Sequence, residues 1–317
     1  MKVLITDAEY AVLDIEADVL TTAGHELITA SCTSPEEVIE AARGVDALLV
    51  QYAPITAEVL QALPQLRIVS RYGVGVDVVD TDAAHAAGVW VCNVPDYGTD
   101  EVALHAVALL LALLRNIAGH DRAVRAGQWN YRLGGQLYRP STLTLGVLGL
   151  GRIGRVTAAR AAPWFGNCVG YDPDLRDDAW PDGVERLDLP ELFARSNAVT
   201  LHLPLTDATR GLVGADLLRR LPHGSYLVNT ARGGLVDVDA VLNALEDGRL
   251  AGVGFDVLPQ EPPPEGHPLL SHPRALVTPH VAWYSEEAEA ELRRKAAQNI
   301  VEWARSGRPT YAVVEGR

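Results

Sequence analysis

Residues 143–154 read LTLGVLGLGRIG, an apolar run of strand type that breaks at Gly149 and passes through Gly151 and Gly154 into the helix-like RVTAARAAPWFG. Three glycines spaced G-x-G-x-x-G between a strand and a helix have separate jobs. The first turns the chain tightly, the second lets a ligand come close to the backbone, and the third packs the helix on the strand. The next strand-like run, CVGYD, ends in Asp172, eighteen residues beyond Gly154, near where an acid that binds ribose hydroxyls stands. Together these residues predict a dinucleotide with its phosphates on the helix N-terminus, where unpaired N–H groups and the helix dipole favour negative charge. Asp172 repels the extra phosphate of NADP, so NAD is the cofactor expected. Arg176 keeps an NADP pocket as the weaker alternative, since Asp174 lies between them. A tight turn with no ligand is the other reading, and it needs strand, glycines and acid to coincide by accident.

The same alternation of strand and helix runs through the whole chain. KVLIT, HELITA, DALLVQY, LRIVSRYG and VWVCNVP read as strands up to about residue 96, with helices such as SPEEVIEAARG and AEVLQALP between them. From residue 143 the pattern restarts: LTLGVLGLG, NCVGYD, AVTLHLPL, GSYLVNTA, GVGFDV and ALVTPHV read as six strands. The fold class is therefore α/β, two doubly wound parallel-sheet domains with a cleft between them, and 317 residues suit two domains. Between the sheets a helix is expected over 100–117, followed by HDRAVRAGQWNYRLGGQLYRP, a connector or oligomer arm. The apolar run VALHAVALLLALL is interrupted by His105 and is shorter than the ~20 residues that cross a bilayer, which makes it a buried helix. Ser285 followed by acidic residues predicts a capped helix over 285–308.

A formal charge of −14 excludes nucleic acid and anionic membranes as main partners. Three scattered cysteines and a start without an apolar signal segment point to a reducing, cytoplasmic setting.

Reducing a 2-oxo acid with NADH requires a clamp for the carboxylate, polarisation of the carbonyl and a proton for its oxygen. Arginine suits the clamp through its planar fork, and histidine suits the proton because its pKa of ~6.5 is tuned by a neighbouring carboxylate. Arg232 in NTARGG, Glu261 in DVLPQEP and His280 in TPH all follow strands of the second sheet, whose C-terminal ends share one edge. Alone, Arg232 reads equally as a partner of a surface acid, Glu261 as a solvated carboxylate and His280 as a packing residue.

LGLGRIG, YDP, HLPLT, NTARGGLVD, GFDVLPQEP and TPHVAWYS, in this order, resemble the D-isomer-specific 2-hydroxyacid dehydrogenase family, as do SRYGVGVDVVD and NVPDYGTDEVA. Within it, RYGVGVD and HVAWYSE look most like the C-terminal binding proteins and their bacterial relatives. The resemblance implies that His280 is the acid/base, Glu261 its partner and Arg232 a substrate ligand, with the amides of Val74 and Gly75 holding the carboxylate. It implies that Gly149, Gly151, Arg152, Ile153, Gly154, Asp172, Leu203, Pro204, Thr230, Ala231, Arg232, Asp256 and His280 contact NAD, with Asp256 facing the nicotinamide carboxamide and Thr99 near the cofactor. It further implies a flavodoxin-like substrate domain over 1–98 plus 286–317, a Rossmann domain over 99–285, and a homodimer embraced through an arm near 118–142 around Trp129.

Trp283 stands where many relatives have glycine, and is expected to select the substrate side chain, an apolar or thioether one, or else to pack between domains. Gln51, Tyr52, Arg71 and Tyr72 follow strands of the first sheet and are candidates to line the substrate site, Arg71 as a second positive contact. Glu101 and His105 have the spacing of a metal pair but no third ligand, so no metal is expected; His267 and His272 read as solvated. The function expected is NAD(H)-dependent reduction of a small 2-oxo acid. The alternatives are an NADH-sensing corepressor-like scaffold, or action on a phosphonate-bearing acid or a phosphorus oxyanion.

Overall fold

Apolar runs such as ALLV and the YLV of SYLVN offer no polar face to water, and their strands are buried along their whole length. The computed structural model describes residues 1–317 and divides into two units, Met1–Gly98 with Ser285–Arg317, and Thr99–Tyr284.

The first unit begins β1 (Lys2–Ile5), α1 (Asp14–Thr22), β2 (Glu26–Thr29), α2 (Pro35–Ala41), β3 (Ala47–Val50), α3 (Ala57–Ala62), β4 (Ile68–Arg71), α4 (Thr81–Ala87) and β5 (Trp90–Cys92). These strands are parallel in the order β2-β1-β3-β4-β5, the flavodoxin-like arrangement. Side chains close the helix starts: Ser34, Thr56 and Asp80 accept from the backbone N–H of Glu37, Val59 and Ala83.

The second unit runs α5 (Thr99–Leu114), α6 (Ile117–Arg125), β6 (Thr144–Leu148), α7 (Arg152–Ala161), β7 (Asn167–Tyr171), β8 (Glu185–Arg186), α8 (Leu189–Arg195), β9 (Ala198–Leu201), α9 (Ala215–Leu218), β10 (Ser225–Asn229), α10 (Val238–Glu246), β11 (Leu250–Phe255), α11 (Pro268–Ser271) and β12 (Ala275–Val277). Its seven strands are parallel in the order β12-β11-β10-β9-β6-β7-β8. The order reverses between β6 and β9, and ligands of such sheets bind beyond the strand ends at that point. Gly252 and Gly254 let α5 lie close on β11: a Cβ at either would stand 3.0 and 3.1 Å from Leu113 and Leu109.

The chain then returns to the first unit as α12 (Glu286–Ser306) and β13 (Ala312–Val314). Ser285 caps α12 by accepting from Ala288 N–H. Arg293 reaches the fully buried Glu16 of α1 at 2.7 Å, and the Ser70 hydroxyl donates to Ala296 C=O at 2.8 Å.

Three features depart from the sequence expectation. The helix expected over 100–117 ends at Leu114, because Asn116 turns left-handed at φ 45° and α6 starts afresh. β8 adds a seventh strand to the second sheet, and β13 pairs antiparallel with β5, so the first sheet is not wholly parallel. Both are edge strands of only two and three residues, too short to carry an alternating pattern. No single helix is long and apolar enough to cross a membrane.

Candidate active site

Two of the three glycines in the β6–α7 turn are demanded by packing. A Cβ on Gly149, which adopts φ 91°, would lie 2.7 Å from the His202 backbone, and one on Gly154 would lie 1.9 Å from Gly149 O. Gly151 differs, because a Cβ there meets nothing within 4 Å. It is the N-cap of α7, has no side-chain cap, and opens the helix whose first residues are Arg152 and Ile153. Asp172, just past β7, accepts from Leu150 N–H at 2.7 Å through one oxygen and from Asp174 and Leu175 N–H at 3.0 and 3.1 Å through the other. It therefore ties the glycine turn to the neighbouring strand. At the end of β10 the Thr230 hydroxyl is buried, the residue 7% exposed, and has no hydrogen-bond partner, an orphan that a ligand would satisfy.

Beyond β9 lie His202, Leu203 and Pro204. Desolvation pushes the His202 imidazole down to about 3, so it is neutral at physiological pH, with Nε2 2.9 Å from the Thr200 hydroxyl. Open ground before an uncapped helix, an orphan hydroxyl and an acid past the second strand together fit a dinucleotide. Thr99 opens α5 in the same unit.

Arg232, Glu261 and His280 are brought together past the ends of β10, β11 and β12. Nδ1 of His280 lies 2.6 Å from Oε2 of Glu261, whose Oε1 accepts from Leu258 N–H at 2.8 Å. Burial pushes the Glu261 carboxyl up, but the hydrogen bond and charge of His280, the Leu258 N–H and the Arg232 charge outweigh it and hold the group below the usual carboxylate range. With Nδ1 committed to Glu261, Nε2 is the ring nitrogen that the pair does not use.

Two residues that sequence reasoning missed make this meeting possible. Asn229 staples the Thr230–Arg232 turn, accepting from Ala231 N–H at 3.0 Å and donating to Arg232 C=O at 2.9 Å. Gly233 lets that turn touch the Glu261 loop, since a Cβ on it would fall 2.0 Å from Leu258 C. The doublet in ARGG was the available signal.

His280 adopts φ 54°, which costs a non-glycine residue about 1–3 kcal/mol. Asp256 holds it there. The Asp256 C=O accepts from His280 N–H at 2.8 Å, and its carboxylate accepts from Val281 and Ala282 N–H, both at 2.9 Å, and from the Thr278 hydroxyl at 2.5 Å. Expected against the nicotinamide carboxamide, Asp256 is 2% exposed and enclosed by donors of its own chain. Those contacts fix the turn that carries His280. Trp283 follows this turn with its ring edge-on to Tyr284, 5.7 Å between centroids. No cluster of three His, Cys, Asp or Glu side chains is arranged to hold a metal ion.

In the first unit, Gln51 and Tyr72, expected to line the substrate site, make hydrogen bonds inside the unit. Both are buried; Gln51 accepts from Glu9 N–H at 3.0 Å, and the Tyr72 hydroxyl donates to Glu16 at 3.2 Å. Arg71 donates from Nε to Gln51 C=O at 3.3 Å, and its guanidinium lies against Gly73, where a Cβ would come 1.7 Å from Nη1. Val74 is exposed and Gly75 partly so, and Asn93 fixes this loop by donating to Val74 C=O at 2.7 Å.

The family model described as D-isomer specific 2-hydroxyacid dehydrogenase, NAD binding domain, matches residues 107–282. The chain belongs to the D-isomer-specific 2-hydroxyacid dehydrogenase family. The dehydrogenase is 37% identical over 291 residues to a glycerate dehydrogenase of Methylorubrum extorquens, covering 89% of this chain and 90% of that one. It is 38% identical over 288 residues to a glyoxylate reductase of Korarchaeum cryptofilum, covering 88% and 86%. An NAD-dependent formate dehydrogenase of Staphylococcus aureus, solved in complex with NAD, is 30% identical and superimposes with a TM-score of 0.89 over 100% of both chains. The family consists of NAD-dependent oxidoreductases that act on the CH–OH group of 2-hydroxy acids, and this dehydrogenase is one of them.

Proposed function

We propose that the dehydrogenase reduces a short 2-oxo acid, glyoxylate or hydroxypyruvate, with His280 as general acid. The observation that carries this reading is the 2.6 Å contact between His280 Nδ1 and Glu261, close enough to Arg232 for its charge to act on Glu261. The names of the glyoxylate reductase and glycerate dehydrogenase relatives support the substrate.

NAD would be held by Gly149, Gly151, Arg152, Ile153 and Gly154 at the phosphates, Asp172 at the ribose, and Leu203, Pro204, Thr230 and Ala231 along the strand ends; when bound as NADH it supplies the hydride. Arg232 binds the carboxylate and draws charge toward the carbonyl oxygen. His280 delivers the Nε2 proton to that oxygen, while Glu261 fixes the ring and balances its charge, an effect worth about 10² to 10⁴ in rate. Trp283 limits the side chain.

The test is NADH oxidation against glyoxylate, hydroxypyruvate, pyruvate, 4-methylthio-2-oxobutyrate, phenylpyruvate and phosphonopyruvate, with His280→Gln as control. Turnover of the two short acids, lost in the control, is expected, and Trp283→Ala should extend it to longer side chains. NADH binding without turnover of any acid overturns the proposal.

The same reading makes the protein a cytoplasmic homodimer. Trp129 and Tyr131 are 88% and 77% exposed, with Leu133 and Tyr138 also exposed, an apolar surface of the kind a partner covers. Sedimentation of the wild type and of Trp129→Glu separates dimer from monomer.

A further inference from the structure

His105 carries neither cofactor nor substrate in the reading above, yet it is wired to the catalytic turn. Its Nε2 lies 3.0 Å from the Thr278 hydroxyl and 3.7 Å from the Asp256 carboxylate. A hydroxyl has one proton to give. Thr278 spends it on Asp256 at 2.5 Å, so at His105 it must accept. The contacts therefore assign a proton to His105 Nε2 and a direction to the chain: His105 N–H to Thr278 O–H to Asp256 carboxylate.

That carboxylate also receives Val281 and Ala282 N–H, and the Asp256 C=O receives His280 N–H. Thr278 and Ala282 thus bracket His280, and Asp256 grips both ends of the bracket. The left-handed backbone of His280 is what aims its ring at Glu261. His105 reaches the bracket because Gly252 and Gly254 let α5 settle on β11.

We propose that His105 is a positioning residue for His280, acting through Thr278 and Asp256. The proposal rests on His280 being the general acid. A side chain remote from the reacting atoms still matters, because a misplacement of about 1 Å in a catalytic group costs up to about 10²-fold.

The experiment compares His105→Leu, which deletes the donor, with His105→Gln, whose amide N–H replaces it, and Thr278→Val with Thr278→Ser. Steady-state kinetics and the pH profile of kcat/KM are measured on the intact protein. His105→Leu and Thr278→Val should each lower kcat about tenfold or more with KM for NADH changed less than threefold, and should displace the pH profile. His105→Gln and Thr278→Ser should recover most of the loss. A role in packing alone predicts instead that Leu and Gln at 105 behave alike and leave the pH profile in place, and that result overturns the proposal.

A second readout needs no turnover. The downfield proton resonance of His280 Nδ1–H against Glu261, identified by its absence in His280→Gln, should shift or broaden in His105→Leu. If it is unmoved there, the positioning role is refuted even if no substrate is ever found. If it moves while the wild type turns over no 2-oxo acid, the positioning stands and the proposed reaction falls.

Discussion

His202 sits against the glycine turn, and desolvation holds its imidazole at about 3 instead of the ordinary 6.5. The sign of the resulting pH effect follows from proton binding. Above pH 6.5 the imidazole is neutral in both folded and unfolded chains and contributes no slope. Between 6.5 and about 3 the unfolded chain takes a proton that the folded one refuses, so stability falls as the pH falls. The slope is at most about 1.4 kcal/mol per pH unit, or about 2 kcal/mol between neutrality and pH 5. Some surface of His202 remains exposed, which makes that figure an upper bound. Urea unfolding of the wild type and of His202→Gln at pH 7.5 and pH 5 isolates the effect, because Gln keeps a partner for Thr200 and cannot titrate. The loss of stability between the two pH values should be smaller in the variant by up to about 2 kcal/mol. An NMR titration of the ring, assigned by the same variant, should be flat from pH 8 to pH 5. A ring that titrates near 6.5, or a pH dependence identical in the two proteins, refutes the desolvation argument.

Glu261→Gln keeps the shape beside His280 and removes the charge, and kcat should fall about 10²-fold in steady-state assays. Because the Glu261 carboxyl is held below its ordinary range, the stability it contributes is complete above that range and lost as pH falls through the lowered value, which acid titration of wild type and variant would compare. Gly233→Ala drives a Cβ into the Leu258 backbone, whereas Gly234→Ala meets the flexible ends of Leu205 at 3.0 Å and Arg210 at 3.6 Å; the first should cost about 1–3 kcal/mol in urea unfolding and lower kcat, the second much less. Glu16→Ala removes the fully buried partner of Arg293, which keeps Asp14 at 3.2 Å and Glu289 at 3.5 Å, and should destabilise by about 1–3 kcal/mol in the same assay.

The glycine turn, the strands around it and the acid at Asp172 were legible because each is a local pattern: an apolar run, a forced turn and a fixed distance. Arg232, Glu261 and His280 were legible through motifs that resemble those of a known family, although their meeting depends on Gly233, whose role is visible only against Leu258 in space. What stayed hidden was set by contacts distant in sequence. In α1, Glu16, an acid in DIEADVLTT, points inward to Arg293, 277 residues on, which interrupts the apolar stripe of that helix. Gln51 and Tyr72 follow strands as ligand-facing residues do, and nothing local says that their polar groups are already used by Glu9 and Glu16. His105 reads as a packing residue rather than half of a metal pair, and nothing local to it points to Thr278, 173 residues on.

The return of α12 and β13 to the first sheet also governs the order in which the protein can be made. A ribosome releases the N-terminal strands first, but Glu16 meets Arg293 and the open edge of β5 meets β13 only after the whole Thr99–Tyr284 unit has been synthesised. The central unit is contiguous and free to fold as it emerges, while the first must wait with Glu16 lacking its cationic partner and a strand edge uncovered. Chains ending at Tyr284 and released from the ribosome should therefore present a protease-resistant core from the middle of the sequence, flanked by an N-terminal segment that is still cleavable.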